Sequence, residues 1–376
     1  MIRVTLGERR DYDRRELRAA LEGLLEDLGG IRQFFSPGDR VLLKPNLLSA
    51  SAPEKCDTTH PEVVRGVALL VLEAGGKPLI ADSPGLDGFA KVGEKTGMAQ
   101  VARELSIPLE ELDDSSPLPM AEGSVFRKVE VARQALEADA IINLPKLKTH
   151  AQMTLTLGVK NLFGTVVRQR KAEWHYTTGL HRDIFADLHL DIARSLAPAL
   201  TILDGIEGME GRGPGNGTPR SFGLLAASPD PLALDLSVCS LLGVAPESFP
   251  LYRAAKKRGL LPVWEEMRSP SFPEGFVFPA VDIPRLDALH LLPAFLDGFA
   301  KRHLSSRPVQ DRDKCIQCCK CVSLCPAGAM ELTREGRILI DYEKCIRCYC
   351  CQEVCPEDAL TFSRGLILRG LEFFHR

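Results

Sequence analysis

Eight of the twelve cysteines in this chain fall into two copies of one run. The first copy is Cys315, Cys318, Cys321 and Cys325 followed by Pro326; the second is Cys345, Cys348, Cys351 and Cys355 followed by Pro356. C-x2-C-x2-C-x3-C-P is a spacing that holds iron–sulfur cubanes. Three closely spaced thiolates can hold three irons of one cluster while the chain makes a tight loop. The proline then turns the fourth cysteine toward the other cluster. The residues therefore predict one [4Fe–4S] cluster on Cys315, Cys318, Cys321 and Cys355, and a second on Cys345, Cys348, Cys351 and Cys325. Cys315, Ile316, Cys318, Cys321, Cys325, Pro326 and Ala329 each recur 30 positions later, an internal duplication. Zinc also takes four thiolates, but its sites use two separated pairs and need no third cysteine or proline at these offsets. Cys319 and Cys350 lie inside the runs but off the pattern, as spare thiols or substitute ligands.

A second set of chemically capable residues lies earlier in the chain. Lys44 and Asn46 follow one apolar run, and Cys56-Asp57-Thr58-Thr59-His60 come soon after. Asp82-Ser83-Pro84-Gly85 follow another, and Lys146, Lys148 and His150 a third; if that last stretch is extended they share one face. Lys160 and Asn161 come next, then Asp204, Glu207 and Glu210. The cations suit a carboxylate or phosphate. Asp82, Asp204, Glu207 and Glu210 could hold a divalent ion or act as acid–base groups. This assigns substrate binding to Lys44, Asn46, Lys146, Lys148, Lys160 and Asn161, proton supply to His150 or His60, and orientation or chelation to Asp82 and Asp204. Taken singly, each is as well explained as solvated charge. The glycine-rich 211–218 segment could embrace a phosphate or be a bare flexible loop, and it matches neither nucleotide-binding glycine motif. Cys56, in a polar loop, is a candidate reactive thiol, and Cys239 reads as core. His181 is expected to face inward from a helix end. His175, with Trp174 and Tyr176, is expected in a loop, as lid or packing.

The elements that must position these groups read as alternating strands and helices. Strands are predicted at 2–6, 40–44, 79–81, 125–131, 140–144, 200–203 and 222–227. Helices are predicted at 13–28, 61–74, 89–105, 181–196, 231–242 and 246–260. This is an α/β pattern with a mostly parallel sheet and flanking helices, which places ligands beyond the carboxyl ends of its strands. At 376 residues the chain has room for two domains, and a net charge of −3 gives no bulk reason to expect nucleic acid. No apolar run approaches a spanning helix and no signal peptide is legible, so a soluble cytoplasmic protein is expected, with cysteines used for metal.

Several of these stretches together resemble a known family. Lys44-Pro45-Asn46-Leu47-Leu48, Thr59-His60-Pro61, Asp82-Ser83-Pro84-Gly85, Pro145-Lys146-Leu147-Lys148-Thr149-His150, Gly158-Val159-Lys160-Asn161-Leu162-Phe163-Gly164, Asp204-Gly205-Ile206-Glu207-Gly208 and Asp230-Pro231-Leu232-Ala233-Leu234-Asp235 look like the family catalogued as domain of unknown function 362. The resemblance runs from about Val41 to Gly243, and the tail resembles bacterial two-cluster ferredoxins. It implies iron–sulfur association and leaves the activity open. The expected organisation is an α/β domain over 1–304, a small ferredoxin-like α+β two-cluster domain over 305–363 and a tail helix over 364–376, with a further helix over 286–303. Three functions fit. The first is an oxidoreductase relaying single electrons from a redox partner protein through two [4Fe–4S] clusters to an anionic small molecule. The second is a non-enzymatic electron carrier or assembly factor for a partner protein, and the third a non-redox, ligase-like enzyme with structural or regulatory clusters.

Overall fold

The computed structural model describes residues 1–85, 87–168, 170–178, 181–268, 278, 280–284 and 306–363. The helix expected over 286–303, the loop around 269–273 and the tail helix over 364–376 lie outside the described residues. The chain opens with β1 (Ile2–Glu8) and α1 (Arg14–Glu26), the latter capped by the Asp13 carboxylate accepting from the amides of Arg15 and Glu16. β2 (Arg40–Pro45), α2 (Pro61–Glu73) and β3 (Lys77–Asp82) follow, with Pro61 in the first turn of α2. Gly97, at φ +79°, splits the single helix expected over 89–105 into α3 (Phe89–Lys95) and α4 (Met98–Leu105). β4 (Leu109–Glu111) precedes an isolated antiparallel pair, β5 (Ser115–Pro117) and β6 (Glu130–Ala132), so the strand expected from Val125 begins only at Glu130. Next come α5 (Arg133–Glu137), β7 (Ala140–Leu144), β8 (Lys146–His150), β9 (Thr154–Thr156), α6 (Gly158–Asn161) and α7 (Arg170–Thr178). α8 (Arg182–Leu196), β10 (Leu200–Glu210), β11 (Thr218–Ser228), α9 (Pro231–Leu241), α10 (Pro250–Lys257) and β12 (Trp264–Arg268) complete the larger unit.

One ten-stranded sheet runs β12-β1-β11-β10-β7-β2-β3-β4, with β8 on β10 and β9 on β8. Its β1–β11, β10–β11 and β8–β9 contacts are antiparallel; the other six are parallel. The fold is therefore a mostly parallel α/β sheet with flanking helices. Alternation along β11 shows how both faces are filled. Leu224 and Ala226 enter one core with residues of α8, α9 and α10, while Leu225 and Ala227 enter another with α1, α2 and α4. Strands covered on both sides read as unbroken apolar runs, which is why they were legible.

Two further expectations change. Asp204 to Glu210, read as a loop beyond a strand, is the second half of β10, and 211–217 is the hairpin turn into β11. His181 is exposed at the start of α8, as is Ile184, because the helix buries Phe185, Leu188, His189 and Ile192 instead.

Residues 307–363 form two strand pairs, β13 (Arg307–Gln310) with β16 (Leu360–Ser363) and β14 (Met330–Leu332) with β15 (Ile338–Ile340). Two short helices accompany them, α11 (Lys320–Leu324) and α12 (Cys350–Glu353). The duplication extends to the backbone: Gln317 and Arg347, Cys319 and Tyr349, and Gly328 and Asp358 all have positive φ at the same 30-residue interval. In each copy an amide donates to the fourth cysteine, Ala329 N to Cys325 Sγ at 3.3 Å and Ala359 N to Cys355 Sγ at 3.1 Å. No helix among the described residues is long and apolar enough to cross a membrane.

Close approach of β8 to β10 rests on a missing side chain. A Cβ on Gly208 would sit 2.5 Å from Leu147 O, whereas one on Gly23, in α1, would meet nothing within 4 Å. Gly208→Ala is expected to destabilise by about 2 kcal/mol or more, and Gly23→Ala to stabilise by about 0.5–1 kcal/mol. Urea unfolding midpoints of the two variants check both.

Candidate functional site

β3, β2 and β7 are parallel neighbours, with Leu43 opposite Ile80 and Lys44 opposite Asn143, so their carboxyl ends open side by side. Lys44 Nζ donates to Asp82 Oδ1 and to Pro45 O, both at 2.8 Å, and Asp82 Oδ2 accepts from Leu47 N at 2.7 Å. Gly164 leaves room for this buried pair, since a Cβ there would lie 2.5 Å from Lys44 Nζ and 2.6 Å from Asp82 Oδ1. Asn161 Nδ2 donates to Asn143 Oδ1 at 2.8 Å and to Lys44 O at 3.2 Å, while its Oδ1 accepts from Asn46 Nδ2 at 2.9 Å. Asn46 Oδ1 accepts from Lys148 Nζ at 2.8 Å, and Lys148 Nζ also donates to Asp57 O. Burial lowers the Lys148 ammonium to about 7.

A second network lies around β10. Lys146 Nζ donates to Asp204 Oδ2 at 2.8 Å and to Tyr12 Oη at 3.0 Å, and Tyr12 Oη donates to Asp204 Oδ1 at 2.9 Å. The His60 amide donates to Asp204 Oδ2 at 2.8 Å, its ring stacks on Tyr12 at 3.5 Å between centroids, and its Nδ1 accepts from Glu62 N at the head of α2. Burial lowers His60 to about 4. Cys56 is not the reactive thiol that its polar neighbours suggested. It is buried with Sγ 3.7 Å from Glu207 Oε2, and burial pushes it up to about 11. Glu210 pairs with Arg220. Asp82, Asp204 and Glu210 are thus each committed to a protein partner. Among the described residues no three His, Cys, Asp or Glu side chains converge on a single ion.

A cavity of about 310 Å³ lies between the strand ends, α7 and α12. Lys44, Asn46, Asp82, Lys160 and Asn161 border it; Lys146, Lys148, His150, His60 and Asp204 do not. Lys146, Lys148 and Asp204 are spent within the protein, which removes Lys146 and Lys148 as direct ligands of a molecule in the cavity. The wall's described residues include six lysines and one arginine against three carboxylates, Asp82, Asp87 and Glu353. Sequence reasoning missed the contribution of α7. Residues 174–176, expected as a loop, are helical, and Lys171 and His175 both border the cavity. Their i,i+4 spacing was the available signal. Lys171 Nζ donates to Ser83 O at 2.5 Å, and burial lowers it to about 7. His175 is buried, lowered by that burial to about 4, and its Nδ1 has no hydrogen-bond partner.

The other wall comes from the cysteine-rich segment. Glu353 Oε1 lies 3.1 Å from His150 Nε2, although the contact is poorly aligned for a hydrogen bond. His150 Nδ1 accepts from the amides of Gln152 and Met153, at 3.0 and 3.2 Å, which puts the ring proton on Nε2, facing Glu353. The glycine-rich turn receives α12: Gln352 Nε2 donates to Arg212 O at 3.0 Å, and Asn216 Nδ2 donates to Gln352 O at 2.6 Å. Lys320 reaches Asp87 at 2.9 Å. Cys315, Cys318, Cys321 and Cys355 border one small cavity together with Cys319, and Cys325, Cys345, Cys348 and Cys351 border another. Burial raises the Cys321 thiol to about 11, and Cys355, Cys318 and Cys315 push the same way. Thiols that repel one another once ionised suit a polycationic iron–sulfur core, which draws off their protons. Cys355 and Pro356 also border the 310 Å³ cavity, as does Cys350.

Three imidazoles, those of His60, His150 and His175, are lowered to about 4 by burial. Unfolded histidines take up protons near 6.5, and these sites resist until about 4, so their contribution to stability is full above 6.5 and is lost as pH falls toward 4. Each fully buried ring accounts for on the order of 3 kcal/mol. Urea midpoints followed by tryptophan fluorescence should fall across that window, with a shallower slope in His175→Phe.

A family model described as domain of unknown function (DUF362) matches residues 41–240, and one described as a 4Fe-4S dicluster domain matches residues 307–356. The chain is 44% identical over 267 residues to the thylakoid-associated protein sll1697 of Synechocystis sp., covering 71% of this chain and 83% of that protein. Among solved structures, the lactate racemase apoprotein from Thermoanaerobacterium thermosaccharolyticum aligns with a TM-score of 0.40 at 14% identity, over 64% of this chain. The chain spans 57% of the length of that structure. With a DUF362 match over more than half its length and a 4Fe-4S dicluster domain after it, the chain belongs to the DUF362 family and is an iron–sulfur protein.

Proposed function

We propose that this chain is an oxidoreductase passing single electrons from a low-potential redox protein, through two [4Fe–4S] clusters, to an anionic small molecule in the cavity between its two parts. One observation carries the reading: Cys355, assigned to the first cluster, is also a residue of the cationic cavity wall. The assignment gives Cys315, Cys318, Cys321 and Cys355 to one cluster and Cys325, Cys345, Cys348 and Cys351 to the other. It is supported by the two sets of four that border separate small cavities. When bound, the clusters supply one-electron carriage at potentials tuned by burial and by amide donors to sulfur, here Ala329 N and Ala359 N.

The remaining roles belong to protein side chains. Lys160 holds the anionic group of the acceptor, and the Lys44–Asp82 pair with Asn46 and Asn161 shapes the floor on which it rests. Lys146–Asp204 and Lys148 fix the backbone behind that floor. The acceptor gains the electrons and takes matching protons from solvent; the external redox protein loses them. The division into a domain over 1–304 and a cluster domain over 305–363 fits this split of labour. Use of the thiols for iron fits a reducing, cytoplasmic setting.

The ligand assignment is checked by anaerobic reconstitution of Cys355→Ser and Cys319→Ser. The first should lose about half the iron and the second none; equal iron in both would remove the assignment. The function itself is tested by identifying the small molecule that co-purifies anaerobically and mixing it with the pre-reduced protein. Cluster reoxidation in step with reduction of that molecule is expected. Turnover of the molecule by a cluster-free but folded variant would place the chain among non-redox enzymes.

A further inference from the structure

Two ammonium groups on the cavity wall have no carboxylate within ion-pair distance among the described residues, although Glu353 lies near enough to favour the Lys160 charge and Asp82 and Glu111 that of Lys171. Lys160 makes no hydrogen bond and no ion pair within reach among the described residues, and Lys171 Nζ has only the neutral carbonyl of Ser83. Both are lowered chiefly by burial; at Lys171 the charges of Asp82 and Glu111 work against that lowering, while Lys44 and Lys160 add to it. The other cations around them are neutralised: Lys44 by Asp82, Lys320 by Asp87 and Arg168 by Glu111. Glu353, on the same wall, supports the Lys160 charge from beyond ion-pair distance; the positive charge left over, buried with no contacting carboxylate, is costly, and such a site is explained when a ligand brings the missing charge. His175 adds a third unsatisfied group. It lies four residues after Lys171 on the same helix face, borders the same cavity, and has a buried ring nitrogen with no partner. Leu48, Phe163, Leu324 and Val354 supply apolar surface to the same wall, which also includes Cys355 and Pro356.

We propose that Lys160, Lys171 and His175 form a subsite for a dianionic group, a phosphoryl or a paired carboxylate, at one end of a molecule whose apolar body extends along Phe163 and Val354 toward Cys355. This rests on the reading of the cavity as the ligand site and specifies which end of the ligand is held where. A phosphoryl group offers three acceptor oxygens to the two ammoniums and the imidazole. A malonate-like pair of carboxylates offers the same charge in planar form. Lys171 and His175 both come from α7, so the helix that closes the cavity also sets its selectivity.

The test is isothermal titration of the full-length, cluster-loaded protein with inorganic phosphate, phenyl phosphate, malonate and acetate. Phosphate or malonate should bind at least about tenfold more tightly than acetate, and phenyl phosphate more tightly than phosphate. Whichever of phosphate and malonate binds better identifies the source of the dianion. Lys171→Met should weaken binding about tenfold to a hundredfold, Lys171→Arg should restore most of it, and Lys95→Met, away from the cavity, should leave it unchanged. Unchanged iron content and visible absorbance certify that the variants are folded. No binding of any dianion at millimolar concentration, acetate binding as well as phosphate, or equal affinity in Lys171→Met would overturn the subsite. If dianions bind as expected while cluster reduction has no bearing on turnover, the redox reading falls and the subsite stands. Electron delivery to an uncharged acceptor, with no dianion affinity, would do the reverse.

Discussion

The arrangement depends on one largely buried carboxylate, its side chain 12% exposed. Glu353 sits in α12, between cysteines of the two cluster sets, and enters the larger unit beside His150, Lys160 and His175. Burial alone would raise its pKa, but His150, Lys160 and His175 more than offset that and leave it at about 2. His150 itself is held neutral by burial, at about 4, so the cation that favours the Glu353 charge is the Lys160 ammonium, from beyond ion-pair distance, and the imidazole contributes an oriented N–H. An ionised group in such a place fixes geometry more than it adds stability. It places α12 against the strand ends, and with it Cys355, so that the cavity exists only where both parts of the chain meet.

The same logic explains the polar interior. β8 carries Lys146, Lys148 and His150 on one face, as its extended conformation requires, yet all three are buried. Lys146 and Lys148 find acceptors in Asp204 and Asn46, and His150 faces Glu353. These residues look like substrate ligands in a linear chain because cations after a strand normally face solvent or a ligand. Here neighbouring strands and the docked cluster segment supply the partners. Glycines make the fit possible at two points, Gly164 against the Lys44–Asp82 pair and Gly208 against β8.

Much of this was legible from residue order alone, for definite reasons. Cysteine spacing is set by a covalent cage, so the two runs announced an iron–sulfur domain before any fold. Strands buried on both faces leave apolar runs, so β2, β3 and β7 and the polar residues at their ends were found. What escaped was decided by tertiary contact. The 170–178 helix has little apolar character to announce it, so Lys171 and His175 were passed over. Asp204 and Glu207 were placed in a loop because glycines interrupt β10, where they in fact allow close packing. His181 was turned inward because the buried face of α8 begins one residue later than its apolar pattern suggested.

The central claim is that iron–sulfur chemistry in the last part of the chain serves the cavity it helps to enclose. Metal and acid-labile sulfide analysis of anaerobically isolated protein, joined to paramagnetic resonance before and after dithionite reduction, tests it most directly. The account predicts about eight irons per chain and a signal that appears on reduction, from two [4Fe–4S] clusters close enough to interact. Zinc in place of iron, with no reducible signal, would contradict it.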